Sequence, residues 1–178
     1  VSLIPDNSKA EIDHLVINEV RYDVSTSSGF SEWVEIYNPT ENLILIEGYK
    51  LTDLENEFIF PANYQIKSKE YLVIAKSLLG FKNEYNREAS FEWLMSLADS
   101  GDEIILRDKN NQDIDAVVYE GKYYGGINPH PGVTRPNSIE RQPKGYDTDD
   151  CTKDFVEQLN PSPFLGLPSA ISLKLVEI

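Results

Sequence analysis

The chain has 178 residues, of which 30 are acidic and 16 are basic, and its formal net charge at pH 7 is −14. Such a charge repels phosphate backbones, and no cluster of Lys or Arg offsets it locally, so nucleic acid is excluded as a partner. One cysteine and two histidines exclude a disulfide framework and a cysteine-based or histidine-rich metal site. No apolar run approaches the roughly 18 residues that would predict a membrane span.

The length fits one domain with extensions. We predict an N-terminal extension over residues 1–14, a core domain over residues 15–163 and a C-terminal tail over residues 164–178. The chain begins at Val1 and shows no signal peptide. From this we expect a secreted protein with a processed N-terminus, located outside the cell or at the cell surface.

The first half of the domain has the alternating pattern of short strands. Strands are predicted over residues 15–20, 32–37, 43–52, 58–60 and 70–75. In the second of these, Val34 and Ile36 would face one side, and Trp33, Glu35 and Tyr37 the other. Gly48 is a plausible bend that divides the third stretch.

Residues 76–95 are the least strand-like part of the chain. Ser77 to Phe81 predict a single helical turn that Gly80 terminates. Three apolar residues that follow, Phe91, Trp93 and Leu94, are expected to pack under a long loop.

The second half predicts a β-hairpin and one further strand. Residues 103–107 and 114–119 flank a polar connector with Asn110 and Asn111, residue types that accept positive φ. Glycines and prolines in residues 123–137 predict a surface loop, and residues 139–142 the last strand. Many short strands without a long helical pattern indicate an all-β sandwich.

Several motifs in this order resemble the lamin tail domain, an immunoglobulin-like β-sandwich. They are Ile17-Asn18-Glu19-Val20, the stretch 32–39 ending in Asn38-Pro39, Gly48-Tyr49-Lys50-Leu51-Thr52-Asp53, Leu72-Val73-Ile74-Ala75, the stretch 97–106 with Gly101-Asp102, and Ser138-Ile139-Glu140-Arg141. The resemblance covers residues 15–163. It implies a binding and structural module rather than an enzyme, and an extracellular location, which is common among microbial members.

One departure from the family pattern falls at the end of the domain. Asn160-Pro161-Ser162-Pro163 stands where the family usually closes with Pro-Gly, and Phe164 replaces that Gly.

Carboxylates are the only candidate catalytic groups. Glu19, Glu32 and Glu35 could serve as an acid–base pair, but no nucleophile or histidine accompanies them. The alternative, which we favour, is that Glu35 is buried and accepts hydrogen bonds from neighbouring backbone. Cys151 is expected to be a small buried side chain. We therefore predict that the protein is not an enzyme.

An acidic cluster near the end of the domain is a candidate calcium site. Asp147, Asp149, Asp150 and Asp154 supply the oxygen ligands that Ca²⁺ prefers. However, Cys151 stands where a third acidic ligand would come, and the Gly of a calcium loop is absent. The alternative is that these residues cap turns. No other cofactor is predicted.

Two further features suggest partners. Tyr123 and Tyr124 lie beside two glycines and could form a sugar-stacking or protein-docking patch, or belong to ordinary packing. In the tail, Ile171, Leu173 and Leu175 alternate with other residues and predict an extra strand. Such a strand must pair with its own sheet, with a further domain of a longer precursor or with a neighbouring copy.

These features lead to two hypotheses. The first is a structural module that assembles with copies of itself at the cell surface, in filaments or a surface layer, through its terminal strands. The second is a targeting or adhesion module of a larger secreted protein that binds polysaccharide or cell-envelope components.

Overall fold

The computed structural model of the protein describes residues 12–24 and 31–165. The elements of this part of the chain are β1 (Val16–Arg21), β2 (Trp33–Tyr37), β3 (Ile44–Leu45), β4 (Lys50–Thr52), β5 (Glu57–Ile59), β6 (Gln65–Ile66), β7 (Tyr71–Ala75), α1 (Leu78–Tyr85), β8 (Phe91–Glu92), β9 (Gly101–Arg107), β10 (Asp113–Glu120), β11 (Ser138–Arg141), α2 (Cys151–Asp154) and β12 (Phe155–Gln158).

The strands form two main sheets and a small one. The first sheet has the order β12-β11-β1-β2-β7-β8, the second the order β10-β9-β4-β5, and β3 pairs with β6 apart from both. The β7–β8 pair is parallel, whereas the other pairs are antiparallel. The predicted all-β, immunoglobulin-like sandwich is confirmed.

The main core lies between the two large sheets. Val34 and Ile36 of β2 are fully buried in it together with Ile104 and Leu106 of β9 and Val117 of β10. Removing apolar side chains of this size from water is the main favourable contribution to folding, at roughly 1.5–3 kcal/mol each.

The outer face of the six-stranded sheet is also covered. Trp33 of β2 packs with Val73 and Ala75 of β7 and with Phe81 of α1 in a second apolar cluster. The predicted division of β2 into two faces is confirmed. Because both faces of this strand are buried, a polar side chain on its outer face must find its partners inside the protein.

The prediction for the helix was wrong in its length. Ser77 caps α1, and its side chain accepts a hydrogen bond from the backbone N–H of Gly80, which lies in the first turn. The helix instead ends at Asn86, which adopts the left-handed conformation (φ 51°). Asparagine tolerates this conformation because its short polar side chain can bond locally.

The apolar residues after the helix divide between core and surface. Trp93 is buried and Phe91 is half-buried against the core. Leu94 is 80% exposed, so the prediction that it packs under a loop was wrong.

The hairpin prediction is confirmed. Strands β9 and β10 are antiparallel neighbours, and Asn111 in their connection has positive φ. Strand β11 matches the last predicted strand within one residue at each end. Sequence reasoning did not anticipate β12, which pairs with β11 and forms one edge of the six-stranded sheet.

Candidate interaction surface

Three glutamates from adjacent strands meet on the outer face of the six-stranded sheet. Glu19 of β1 lies opposite Glu35 of β2 and opposite Glu140 of β11. None of the three is accessible to solvent. A buried carboxylate is costly unless it is hydrogen-bonded or neutralised, so its partners determine what it does.

The partners of these carboxylates include the end of the described chain. Glu19 accepts hydrogen bonds from the hydroxyl of Ser138 and, at 3.1 Å, from the backbone N–H of Ser162. Glu35 accepts one from the side-chain amide of Asn18 at 2.8 Å and one from the backbone N–H of Phe164. The predicted role of Glu35 as a buried acceptor of backbone hydrogen bonds is confirmed.

The environment of Glu19 and Glu35 raises the pKa of both side chains. Burial raises the pKa of Glu35 to about 7. Burial first, and then the neighbouring Glu35 charge, raises the pKa of Glu19 well above its ordinary value. The Glu35 carboxyl is therefore partly protonated near neutral pH, where it would be ionised in water.

We call residues 160–165 the closing segment, since they cover these glutamates. The ring of Phe164 packs edge-on against Phe81 at 6.1 Å between centroids and lies under the guanidinium of Arg87 at 4.7 Å. The ammonium of Lys144 donates to the carbonyl of Leu165 at 2.7 Å. Leu165 itself, the last described residue, is 64% exposed.

A groove of about 440 Å³ adjoins the closing segment at the edge of β7. We call it the edge groove, and its lining includes Tyr64, Ile66, Tyr71, Leu72, Ser90 and Phe164. It lies where the six-stranded sheet is incomplete, because the register of β8 on β7 comprises Ile74 and Ala75 alone. Open edges of this kind present backbone groups to which another strand can add.

Two residues of the predicted calcium cluster bind a buried arginine. The guanidinium of Arg141 is 3.1 Å from carboxylate oxygens of both Asp147 and Asp154, and it pairs with both oxygens of Asp115 at 2.7 and 2.9 Å. Arg141 also donates from Nε to the carbonyl of Ile17 at 2.8 Å, which ties β11 to β1. Hydrogen bonding to His14, followed by the charge of Arg141, lowers the pKa of Asp147 despite its burial.

The other two residues of that cluster lie apart from the arginine contacts. Asp150 is the N-cap of α2, where its side chain accepts from the N–H of Thr152, and it pairs with Lys153 at 2.7 Å. Asp149 has positive φ and donates its backbone N–H to Asp147 at 3.2 Å. Over residues 12–24 and 31–165, no group of three or more His, Cys, Asp or Glu side chains is arranged to hold a metal ion. Calcium binding stays a prediction.

The predicted tyrosine pair lies at the edge of the four-stranded sheet. Tyr123 is 76% exposed, whereas the hydroxyl of Tyr124 bonds with Asp113 and accepts from Arg107. Tyr124 and Asp149 line a cleft of about 360 Å³ beside β10. The three predicted tail anchors, Ile171, Leu173 and Leu175, lie outside the described residues.

Two packed sheets whose exposed features are strand edges and a groove define an immunoglobulin-like interaction module. The chain belongs to the lamin tail domain family, since the model of that family matches residues 8–121. This confirms the resemblance found in the sequence, and the family consists of non-enzymatic interaction domains. The search of curated proteins gave no match. Through the described parts of the chain, no helix combines the length and apolarity that crossing a membrane requires.

Sequence reasoning missed the pairing of Glu19 with Glu140 and the role of Arg141. Both residues of β11 stood within a recognised motif, but their partners are far away in the chain. The available signal was that a charged residue occurs among buried apolar neighbours in β1, β2 and β11. Once the strands become neighbours, such buried charged residues must find hydrogen-bond partners or a counter-charge inside the protein.

Proposed function

We propose that this protein is a non-catalytic structural module that assembles with copies of itself at the cell surface, outside the cell, by strand addition through its C-terminal tail. The observation that carries the proposal is the position of Leu165. Leu165 is exposed, and its neighbour Phe164 lines the edge groove beside β7. In the sequence that follows, the apolar residues Ile171, Leu173 and Leu175 occupy every second position. This is the pattern of a strand whose side chains can fill pockets along a partner's sheet.

The outer strands of both large sheets support this proposal. Among the described residues, β12 and β8 are the outer strands of one sheet and β10 and β5 those of the other, and the end of β10 is covered by the backbone of His130. Apolar side chains are exposed on two of these edges, with Val156 of β12 at 37% and Ile59 of β5 at 53%. A tail that adds to an edge of the next copy makes a head-to-tail contact, and such contacts produce filaments when successive copies do not close into a ring.

The net charge of −14 sets a condition for this assembly. Like charges on approaching copies repel each other, and salt screens this repulsion over a distance of about 8–10 Å at 0.1–0.15 M. We therefore expect assembly to increase with ionic strength.

The test is sedimentation velocity of the full chain over a range of protein and salt concentrations. It is compared with the variant Ile171→Ser/Leu173→Ser/Leu175→Ser and with a control variant, Ser172→Ala/Val176→Ser, which changes alternate positions and keeps Lys174. The full chain and the control should form species larger than the 20.2 kDa monomer, and the triple variant should not. A monomeric full chain, or a triple variant that assembles equally well, would contradict the proposal. Repeating the run with calcium and with chelator tests the calcium prediction.

A second candidate function is a targeting or adhesion module for polysaccharide or cell-envelope components. The observation in its favour is the exposed Tyr123 ring near the cleft beside β10. Aromatic faces provide much contact area with a polar group at one end, which suits such ligands. A binding screen should then find a ligand that Tyr123→Ala loses and that the control Leu54→Ala, exposed elsewhere, retains. Equal binding by both variants, or no binding in the screen, would contradict it.

A further inference from the structure

Among residues 12–24 and 31–165, the first half of β7 is paired with another strand on one side only. Strand β2 pairs with β7 from Tyr71 to Ala75, but the register of β8 covers Ile74 and Ala75. Val73 is the residue of β7 just before this register. Its carbonyl accepts a hydrogen bond from the N–H of Ser90 at 2.8 Å, and its N–H donates one to the hydroxyl of Ser90 at 3.3 Å. A side-chain hydroxyl thus takes the place of a strand carbonyl at the point where β8 leaves the edge.

The edge groove begins at this point. Backbone groups of alternate residues in a strand point to the same side, so the N–H and C=O of Tyr71 point to the same side as those of Val73. Tyr71 and Ser90 both line the groove. A strand that entered there would continue the ladder that β8 begins.

The walls of the groove suit an apolar strand with one cation. Half-buried rings of Tyr64, Tyr71 and Phe164 offer contact surface for alternate aliphatic side chains. Glu70, exposed, is also part of the lining and supplies a negative charge. The tail carries Leu173 and Leu175 with Lys174 between them, so its apolar and charged positions both have counterparts in the groove.

We infer that the edge groove is the acceptor for residues 171–175 of the tail of a second copy. This inference rests on the proposed self-assembly and adds the surface at which it occurs. A second copy is taken as the occupant because only five residues connect Leu165 to Ile171, and short connectors favour the exchange of a strand between copies.

Disulfide trapping tests the inference directly. The native Cys151 is 2% exposed and burial raises the pKa of its thiol to about 12, so it leaves the background unreactive. One preparation carries Ser90→Cys and another carries Leu173→Cys. The two are mixed under mild oxidation, and the matched control pair replaces Ser90→Cys by Val156→Cys on the free edge of β12.

We expect the pair with Ser90→Cys to give on the order of tenfold more covalent heterodimer than the control pair, because docking raises the local concentration of the two thiols. Equal trapping at Val156→Cys would overturn the groove as acceptor while self-assembly stands. If the wild-type chain is monomeric, self-assembly itself fails. A chain with both cysteines that closes into a disulfide-bonded monomer at high dilution would show that the groove takes its own tail, which also overturns the inference.

Discussion

The backbone N–H of Phe164 donates a hydrogen bond to the carboxylate of Glu35, 129 residues earlier in the chain. This contact joins the centre of the six-stranded sheet to the last packed residues before the tail. It fixes the position of Phe164 on the sheet through a carboxyl group whose pKa burial raises to about 7.

The first prediction concerns pH. The ordinary pKa of a glutamate side chain is 4.5, whereas that of Glu35 in the folded protein is about 7. The folded state therefore holds this proton more tightly than the unfolded chain does. Its contribution to stability is fully present below about pH 4.5 and is lost as the pH rises through 7. The loss amounts to at most about 3.5 kcal/mol, since each tenfold change in proton affinity corresponds to about 1.4 kcal/mol.

Glu35→Gln should remove this part of the pH dependence. Urea unfolding at about pH 5 and about pH 8 measures it, and Glu19 is expected to leave a fall in the same direction because its pKa is raised too. Glu57→Gln, on an exposed edge strand, is the control and should keep the wild-type profile. A Glu35→Gln profile identical to that of the wild type would contradict this role.

Phe164 occupies a backbone conformation that glycine prefers. Its φ is +67°. Phe164→Gly and Phe164→Ala lose the same ring contacts, but the glycine variant should be about 1 kcal/mol more stable, because the left-handed conformation strains a residue with a Cβ.

The control for this comparison is Val156, in an extended strand. There the order should reverse, with Val156→Ala about 0.5–1 kcal/mol more stable than Val156→Gly. Thermal unfolding of the four variants decides the matter, and the same order at both positions would be inconsistent with strain at Phe164.

Arg141 neutralises a set of buried carboxylates. Its side chain is 1% exposed and pairs with Asp115, Asp147 and Asp154. Arg141→Met should destabilise the protein by about 3–5 kcal/mol, because the carboxylates are left buried without their counter-charge. The side chain of Arg107 is 25% exposed and pairs with Asp113. Arg107→Met should therefore lower the free energy of unfolding by less than about 1 kcal/mol. Similar free energies of unfolding for the two variants would argue against this assignment.

Two stacked tyrosines provide a matched pair. The rings of Tyr22 and Tyr119 lie 3.8 Å apart. In the described part of the chain the buried hydroxyl of Tyr119 has no hydrogen-bond partner, whereas that of Tyr22 donates to Glu120 at 3.1 Å. Tyr119→Phe should therefore be neutral or stabilising by up to about 1 kcal/mol, and Tyr22→Phe destabilising by about 1 kcal/mol. Denaturant titration measures both, and the opposite ranking would exclude this explanation.

The sequence predicted those parts of the fold that local patterns determine. Alternation placed Val34 and Ile36 in the core, and turn residues placed the β9–β10 hairpin, because strand faces and tight turns depend on neighbouring residues. The helix end was mistaken for a similar reason. Gly80 has the residue type of a terminator, but capping by Ser77 places it in the first turn.

The candidate site depended on relationships that the sequence does not display. Glu19 meets Glu140 only because β11 returns beside β1, and Phe164 reaches Glu35 only after the whole domain has folded. The edge groove likewise arises from the short register of β8, which no pattern in residues 76–95 indicated. Local periodicity therefore identifies the strands, and the order of the strands in the sheet determines which of their residues meet.

The most direct test of the central claim is the mass of the full chain in solution, measured by sedimentation as the protein concentration rises at fixed salt. Self-assembly through the tail predicts species larger than 20.2 kDa that grow with concentration and disappear when residues 166–178 are removed. A full chain that stays at 20.2 kDa throughout would contradict it.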